Sequence, residues 1–176
     1  MGVESLRRLI DEARPDVGLG EGWDLPDPVR QAVDFHWFHV TPKKRLVLAV
    51  LSTKPTWYVG HFYQGRMRQC ERVDCSLCAA QIGAQVRYVF AVVEVTTRIV
   101  GVLEVGKEVG LLIRDQAAGR GFLRGLVIEL GKASGSRQSR TEVQGIEGIA
   151  PTWCMSIPEP DLGHILRRTW DRQAGE

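Results

Sequence analysis

The chain has 176 residues, 44% hydrophobic and 25% charged, which fits one domain with decorated ends rather than two full domains. A formal net charge of +2 excludes a global field that would pull the whole molecule onto nucleic acid or membrane. No stretch approaches the roughly 18 apolar residues of a membrane span, and a start carrying Glu4, Asp11 and Glu12 lacks the apolar centre of a signal peptide.

In chain order, Leu6, Leu9, Ile10 and Ala13 fall at helical spacing and predict an amphipathic helix over Ser5 to Arg14. Residues 15–28, rich in Gly, Pro and Asp, read as a linker. Residues 33–40 (VDFHWFHV) are aromatic and lead to Pro42, as a strand or a packed lead-in. Strand signals then follow in succession: Arg45 to Leu51, Thr56 to Arg66 with Gly60 and Gly65 as bends or bulges, Val86 to Val95, and Arg98 to Val105. Val109 to Ala118 has helical spacing and is expected to stop at Gly119. Gly125 to Leu130 and Arg140 to Val143 add β-pattern on either side of a Gly/Ser-rich basic loop, and a short helix is expected over Ile165 to Gln173.

Three or four strands, a helix and two more strands predict a mainly β fold. The expected form is a five- to six-stranded OB-type barrel with an inserted cysteine-rich loop, one helix between late strands and short terminal helices. The implied division is an N-terminal helix and linker (1–29), an OB-type domain (30–150) carrying that loop (61–78), and a C-terminal extension (151–176).

The sharpest motif runs from His61 to Cys78. Cys75-Ser-Leu-Cys78 is a C-x-x-C knuckle whose short turn brings two thiolates to one ion, and Cys70 lies five residues upstream. Structural zinc takes four ligands, commonly three Cys and one His. His61, on the preceding strand, is the natural fourth ligand, and Cys154 is its rival. A redox C-x-x-C normally opens a helix in a βαβ context, which these surroundings do not resemble. Three cysteines within nine residues of a polar stretch also make a poor core. Glu71 and Asp74 read as a solvated pair beside the metal rather than catalytic groups. Four cysteines without a secretory signal read as reduced thiols, which implies a cytoplasmic location.

Between Arg30 and Arg72 stand eight Lys/Arg against Asp34 and Glu71 alone, and between Arg120 and Arg140 five more against Glu129. Basic stretches on a nearly neutral chain suit a groove that follows phosphates, and single-strand binders add aromatic faces on which bases stack. Trp57, Tyr58, Phe62 and Tyr63 on one strand, Trp57 and Tyr63 foremost, followed by Arg66, Arg68 and Arg72, supply both. Tyr88 and Phe90 share one face of the next strand opposite Val89, Ala91 and Val93, and are expected as an outer stacking platform. Lys132, Arg137 and Arg140 on the later loop are expected to close over a bound strand.

A loop of one His and three Cys, here His61, Cys70, Cys75 and Cys78, inserted between barrel strands resembles the zinc-containing OB-fold single-stranded-DNA-binding proteins of tailed phages. GLVIELGKASGSRQSR resembles a late barrel strand and basic loop of that family. The likeness spans roughly Lys43 to Val143. It implies a non-enzymatic single-stranded-DNA-binding protein with a structural zinc, acting in replication, recombination or a mobile element. Single-stranded DNA is the expected ligand, RNA stays open, an oligomer is compatible, and replication or recombination proteins are the expected partners. The chain closes on RRTWDRQAGE instead of the acidic tail through which such proteins recruit those partners. The rival reading is a zinc-ribbon protein-interaction module of a replication or transcription complex. The chain carries no H-E-x-x-H, G-x-x-x-x-G-K-[ST], G-x-S-x-G or deaminase signature, so no enzyme is expected.

Overall fold

Valine-rich runs bounded by turns dictate a sheet, and a computed structural model describes it over residues 35–42, 44–71, 74–134 and 140–174. The expected N-terminal helix, the linker, Arg72 and Arg137 lie outside the described residues. The strands are β1 (His36–Phe38), β2 (Leu46–Val50), β3 (Thr56–Tyr63), β4 (Arg66–Gln69), β5 (Ala84–Glu94), β6 (Val100–Gly106), β7 (Leu126–Lys132) and β8 (Thr141–Ile149). The helices are α1 (Ser76–Ala79), α2 (Lys107–Arg120), α3 (Thr152–Met155) and α4 (Leu162–Ala174).

The protein is mainly β, an open mixed sheet of eight strands rather than a closed barrel. Its path is β1-β6-β5-β2-β7-β8, with β3 added to β5 and β4 added to β3. Only the β1–β6 pair is parallel. The long strand β5 changes partner along one edge: residues 84–89 pair with β3 and residues 92–94 with β2. Between these two stretches the Ala91 amide donates to the hydroxyl of buried Ser52, and the Ala91 carbonyl accepts from the Leu51 amide. The change of partner therefore leaves no polar group of Ala91 unpaired in the core.

β5 is buried on both faces, and this corrects one sequence expectation. Val89, Ala91 and Val93 face Ala49, Leu51, Tyr58 and the C-terminal residues Cys154, Ile157, Leu162, Ile165 and Leu166. Tyr88, Phe90 and Val92 face Leu48, Leu103, Ile113, Ala117 and Ile128 beneath α2. Tyr88 and Phe90 lie near parallel, 6.5 Å apart and 14° between planes, as core side chains rather than an outer stacking platform. A strand covered on both sides reads as a continuous apolar run, which VRYVFAVVEV is.

The C-terminal residues expected as an extension form a layer of this core. Trp170 of α4 meets the Tyr58 ring edge-on at 5.2 Å. The Tyr58 hydroxyl donates to Glu104 at 2.9 Å, and Arg87 pairs with the same carboxylate at 2.7 Å. Burial and that carboxylate push the Tyr58 phenol upward, so it stays protonated. The Arg124 guanidinium donates to the carbonyls of Leu51, Met155 and Ile157, tying the residues around α3 to the end of β2.

Helix α2 runs past the expected stop at Gly119, because Gly121 takes the left-handed conformation (φ 77°) that caps it. Gly110, inside the helix, is buried directly against Tyr88, where a Cβ would overlap the ring. Alanine is the better helix former by about 1 kcal/mol, but overpacking a core costs about 1–3 kcal/mol. Gly110→Ala should therefore lower the thermal midpoint, and an unchanged or raised midpoint would show that the ring has room to move.

Candidate metal centre and adjoining surface

The site is assembled by a hairpin and one turn of helix. β3 turns into β4 through Gln64 (φ 50°) and Gly65 (φ 80°), the pair of positive dihedrals of a two-residue hairpin turn. The bend expected at Gly65 is this turn. His61 pairs with Arg68 and Tyr63 with Arg66 across the hairpin. The Cys70 amide donates to the Val59 carbonyl at 2.8 Å and carries the ladder past the end of β4. Asp74 takes φ 59°, and α1 then places Cys75 and Cys78 one turn apart, on the same side.

His61, Cys70, Cys75 and Cys78 thus each offer one donor atom, all within 4.8 Å of one another. Cys70 Sγ and Cys78 Sγ are 3.6 Å apart, and His61 Nε2 lies 3.6 Å from Cys75 Sγ and 3.4 Å from Cys78 Sγ. A tetrahedral ion with bonds of about 2.3 Å to sulfur and about 2.0–2.1 Å to nitrogen sets sulfur–sulfur edges of about 3.8 Å and sulfur–nitrogen edges of about 3.5 Å. These three separations lie close to those edges, and the remaining ones stay within 4.8 Å. The sulfurs are well beyond the roughly 2.05 Å of a disulfide, and all four cysteines are free thiols.

The hydrogen bonds around the donors orient them for an ion. His61 is fully buried, and its Nδ1 donates to the Ile82 carbonyl at 2.7 Å, which turns Nε2 toward the sulfurs. Backbone donors, first at Cys78 and then at Glu71, pull the Cys75 thiol down to about 6. The side-chain bond with Cys70 pushes Cys78 up to about 11, and Cys70 likewise raises the His61 imidazole. A lowered thiol beside a raised one is what a crowded thiol cluster gives, and a dication would favour the thiolate form of its sulfur donors.

Cys154 takes no part. It is fully buried among the apolar residues under α3 and α4, where burial raises its thiol. Of the two sequence candidates for the fourth position, the structure brings only His61 to the cluster. Glu71 and Asp74 are exposed and stand outside the group of four.

Alternation along the hairpin places Trp57, Val59, His61 and Tyr63, with Arg66 and Arg68 opposite, on one face. Trp57 is 54% exposed. The Arg68 guanidinium lies 5.5 Å from the centre of the Tyr63 ring and donates to Gln64 Oε1 at 3.3 Å, while its Nε is buried without an acceptor. Gln64 therefore orients Arg68, a role no motif announces. The other face carries Phe62, 57% exposed, opposite Met67. The Ile82 carbonyl was invisible in the sequence, because any residue supplies one.

The described residues at the two ends of the later loop have partners of their own. Arg140 pairs with Glu142 at 3.2 Å and stands 3.8 Å from Glu108, and Lys132, half-buried, ends β7. Among the described residues no helix is long and apolar enough to cross a membrane. Compared with protein-family models, curated proteins and solved structures, the chain matches none.

The fourth position is open to direct measurement. His61→Ala should strip most of the bound metal after dialysis, whereas Cys154→Ala should leave the metal content per chain unchanged. The reverse pattern would contradict the assignment.

Proposed function

We propose that the chain is a single-stranded-DNA-binding protein, built on an OB-type barrel left open on one side and braced by a structural zinc. The supporting observation is one face of strand β3 and its hairpin, beside the His/Cys cluster, that carries exposed Trp57 together with Tyr63, Arg66 and Arg68. Aromatic rings with cations between them suit bases that stack and phosphates that follow.

The strand order supports the OB-type reading. β2 lies between β5 and β7, β6 lies next to β5, β8 lies next to β7, and α2 stands between β6 and β7. Taken as strands one to five, these follow the order of a Greek-key OB barrel, in which closure would bring β8 to β6; here β1 runs beside β6 instead. The hairpin and metal loop then occupy the connection between strands one and two, and residues 133–140 the connection between four and five. Those are the two loops with which OB folds hold oligonucleotides.

Zinc is the ion that three thiolates and one imidazole in a tetrahedron favour. Four protein donors leave no position for water or substrate, so its role is to hold the hairpin rather than to activate a nucleophile. A second reading, a zinc-ribbon protein-interaction module of a replication or transcription complex, draws on Phe62, an exposed ring on the hairpin face without the arginines.

Anisotropy titrations with a fluorescent oligothymidine test the proposal. Trp57→Ala should cost roughly 1–3 kcal/mol and leave the salt slope unchanged. Arg66→Ala should weaken binding to all sequences alike and flatten the slope by about 0.7 per lost contact. Duplex DNA, whose bases are already stacked, should bind more weakly. Equal affinity for duplex and single strand, or an arginine variant with an unchanged slope, would contradict it.

A further inference from the structure

The four metal donors are unequal in exposure, and the inequality selects a pair. His61 and Cys75 are buried, Cys70 is half-buried, and Cys78 reaches the surface on α1. The two cysteines of the group that are not buried, Cys70 and Cys78, have their Sγ atoms 3.6 Å apart. We propose that Cys70 and Cys78 form an oxidisable pair through which a small hydroperoxide releases the metal and unclasps the hairpin. The proposal rests on the zinc reading above.

The chemistry balances without another reactant. In the zinc-loaded protein, where the ion would hold the sulfur deprotonated, the Cys78 thiolate attacks the near oxygen of hydrogen peroxide, the O–O bond breaks, and hydroxide leaves; sulfur is oxidised to the sulfenic acid and peroxide is reduced. The Cys70 thiolate then attacks the Cys78 sulfur, the S–S bond forms, the S–O bond breaks, and the second hydroxide leaves. Two thiolates, one peroxide and two protons give one disulfide and two waters.

Exposure decides which sulfur is attacked first, because a peroxide must reach it. Proximity decides which sulfur resolves the sulfenic acid. Once that disulfide forms, His61 and Cys75 alone remain, and two donors do not retain an ion that four held. Cys75, buried at 5% exposure, is left reduced. Thiol reductant with added zinc reverses both steps.

Hydrogen peroxide added stepwise to zinc-loaded protein provides the test. A chromogenic chelator would follow the zinc, and peptide mapping without reductant would follow the sulfurs. One zinc per chain should appear for each peroxide consumed, with Cys70 linked to Cys78 and Cys75 still alkylatable. Cys154→Ser protein should behave identically, which excludes the buried core thiol, and reductant plus zinc should restore the metal. Cys78→Ser provides a second arm. If it holds zinc, its release by peroxide should be at least tenfold slower. If it does not, the crosslink in the unaltered protein decides alone. A zinc-loaded protein that keeps its metal, or that loses it with a Cys75 crosslink, overturns the oxidisable pair and leaves the zinc site standing. Protein purified under reducing conditions without zinc removes both.

Discussion

Three cysteine sulfurs and an imidazole nitrogen gathered within 4.8 Å make up the constraint on which the rest of the site depends. Three thiolates at that spacing would repel one another. A divalent cation would resolve the conflict, and its binding would then be part of the folding free energy of this segment. The hairpin needs that help. β4 is four residues long and pairs with β3 alone. Its register brings Arg66 and Arg68 opposite Tyr63 and His61, so holding His61 holds the cations as well.

The two-sided core decides where a ligand has room. α2 covers one face of β5, and the α3–α4 segment covers the other. A base has no exposed ring to meet on that strand, and the aromatic surface lies on the hairpin β3–β4 instead. The Tyr58–Glu104–Arg87 network and the edge contact with Trp170 fasten β3 to β5, β6 and α4. The metal loop is thus anchored at one end to a fully packed sheet and clasped at the other by its own donors.

Much of this was legible in residue patterns, and the failures have physical causes. The strands at residues 46–50, 84–94, 100–106 and 126–132 follow apolar runs bounded by turn residues, and C-x-x-C with a nearby Cys and His marked the metal group. Strand alternation in VRYVFAVVEV separates two faces but does not say whether each is wet. Tyr88 and Phe90 were therefore misplaced: both faces are apolar and both are covered. The stop of α2 moved from Gly119 to Gly121 because only the latter adopts positive φ. The C-terminal layer escaped notice because Leu162, Ile165 and Leu166 find partners on the remote strands β2, β5 and β6, through contacts no local period encodes. The parallel pairing of β1 with β6 escaped for the same reason.

X-ray absorption at the zinc edge of protein purified under reducing conditions bears most directly on the account, because it counts donors without altering any. Three sulfurs at about 2.3 Å and one nitrogen at about 2.0–2.1 Å is the result expected of His61, Cys70, Cys75 and Cys78 around one ion. A shell of four sulfurs would bring Cys154 out of the core and contradict the fold around it. A shell of oxygen donors, or no zinc, would remove the clasp from which the hairpin surface takes its shape.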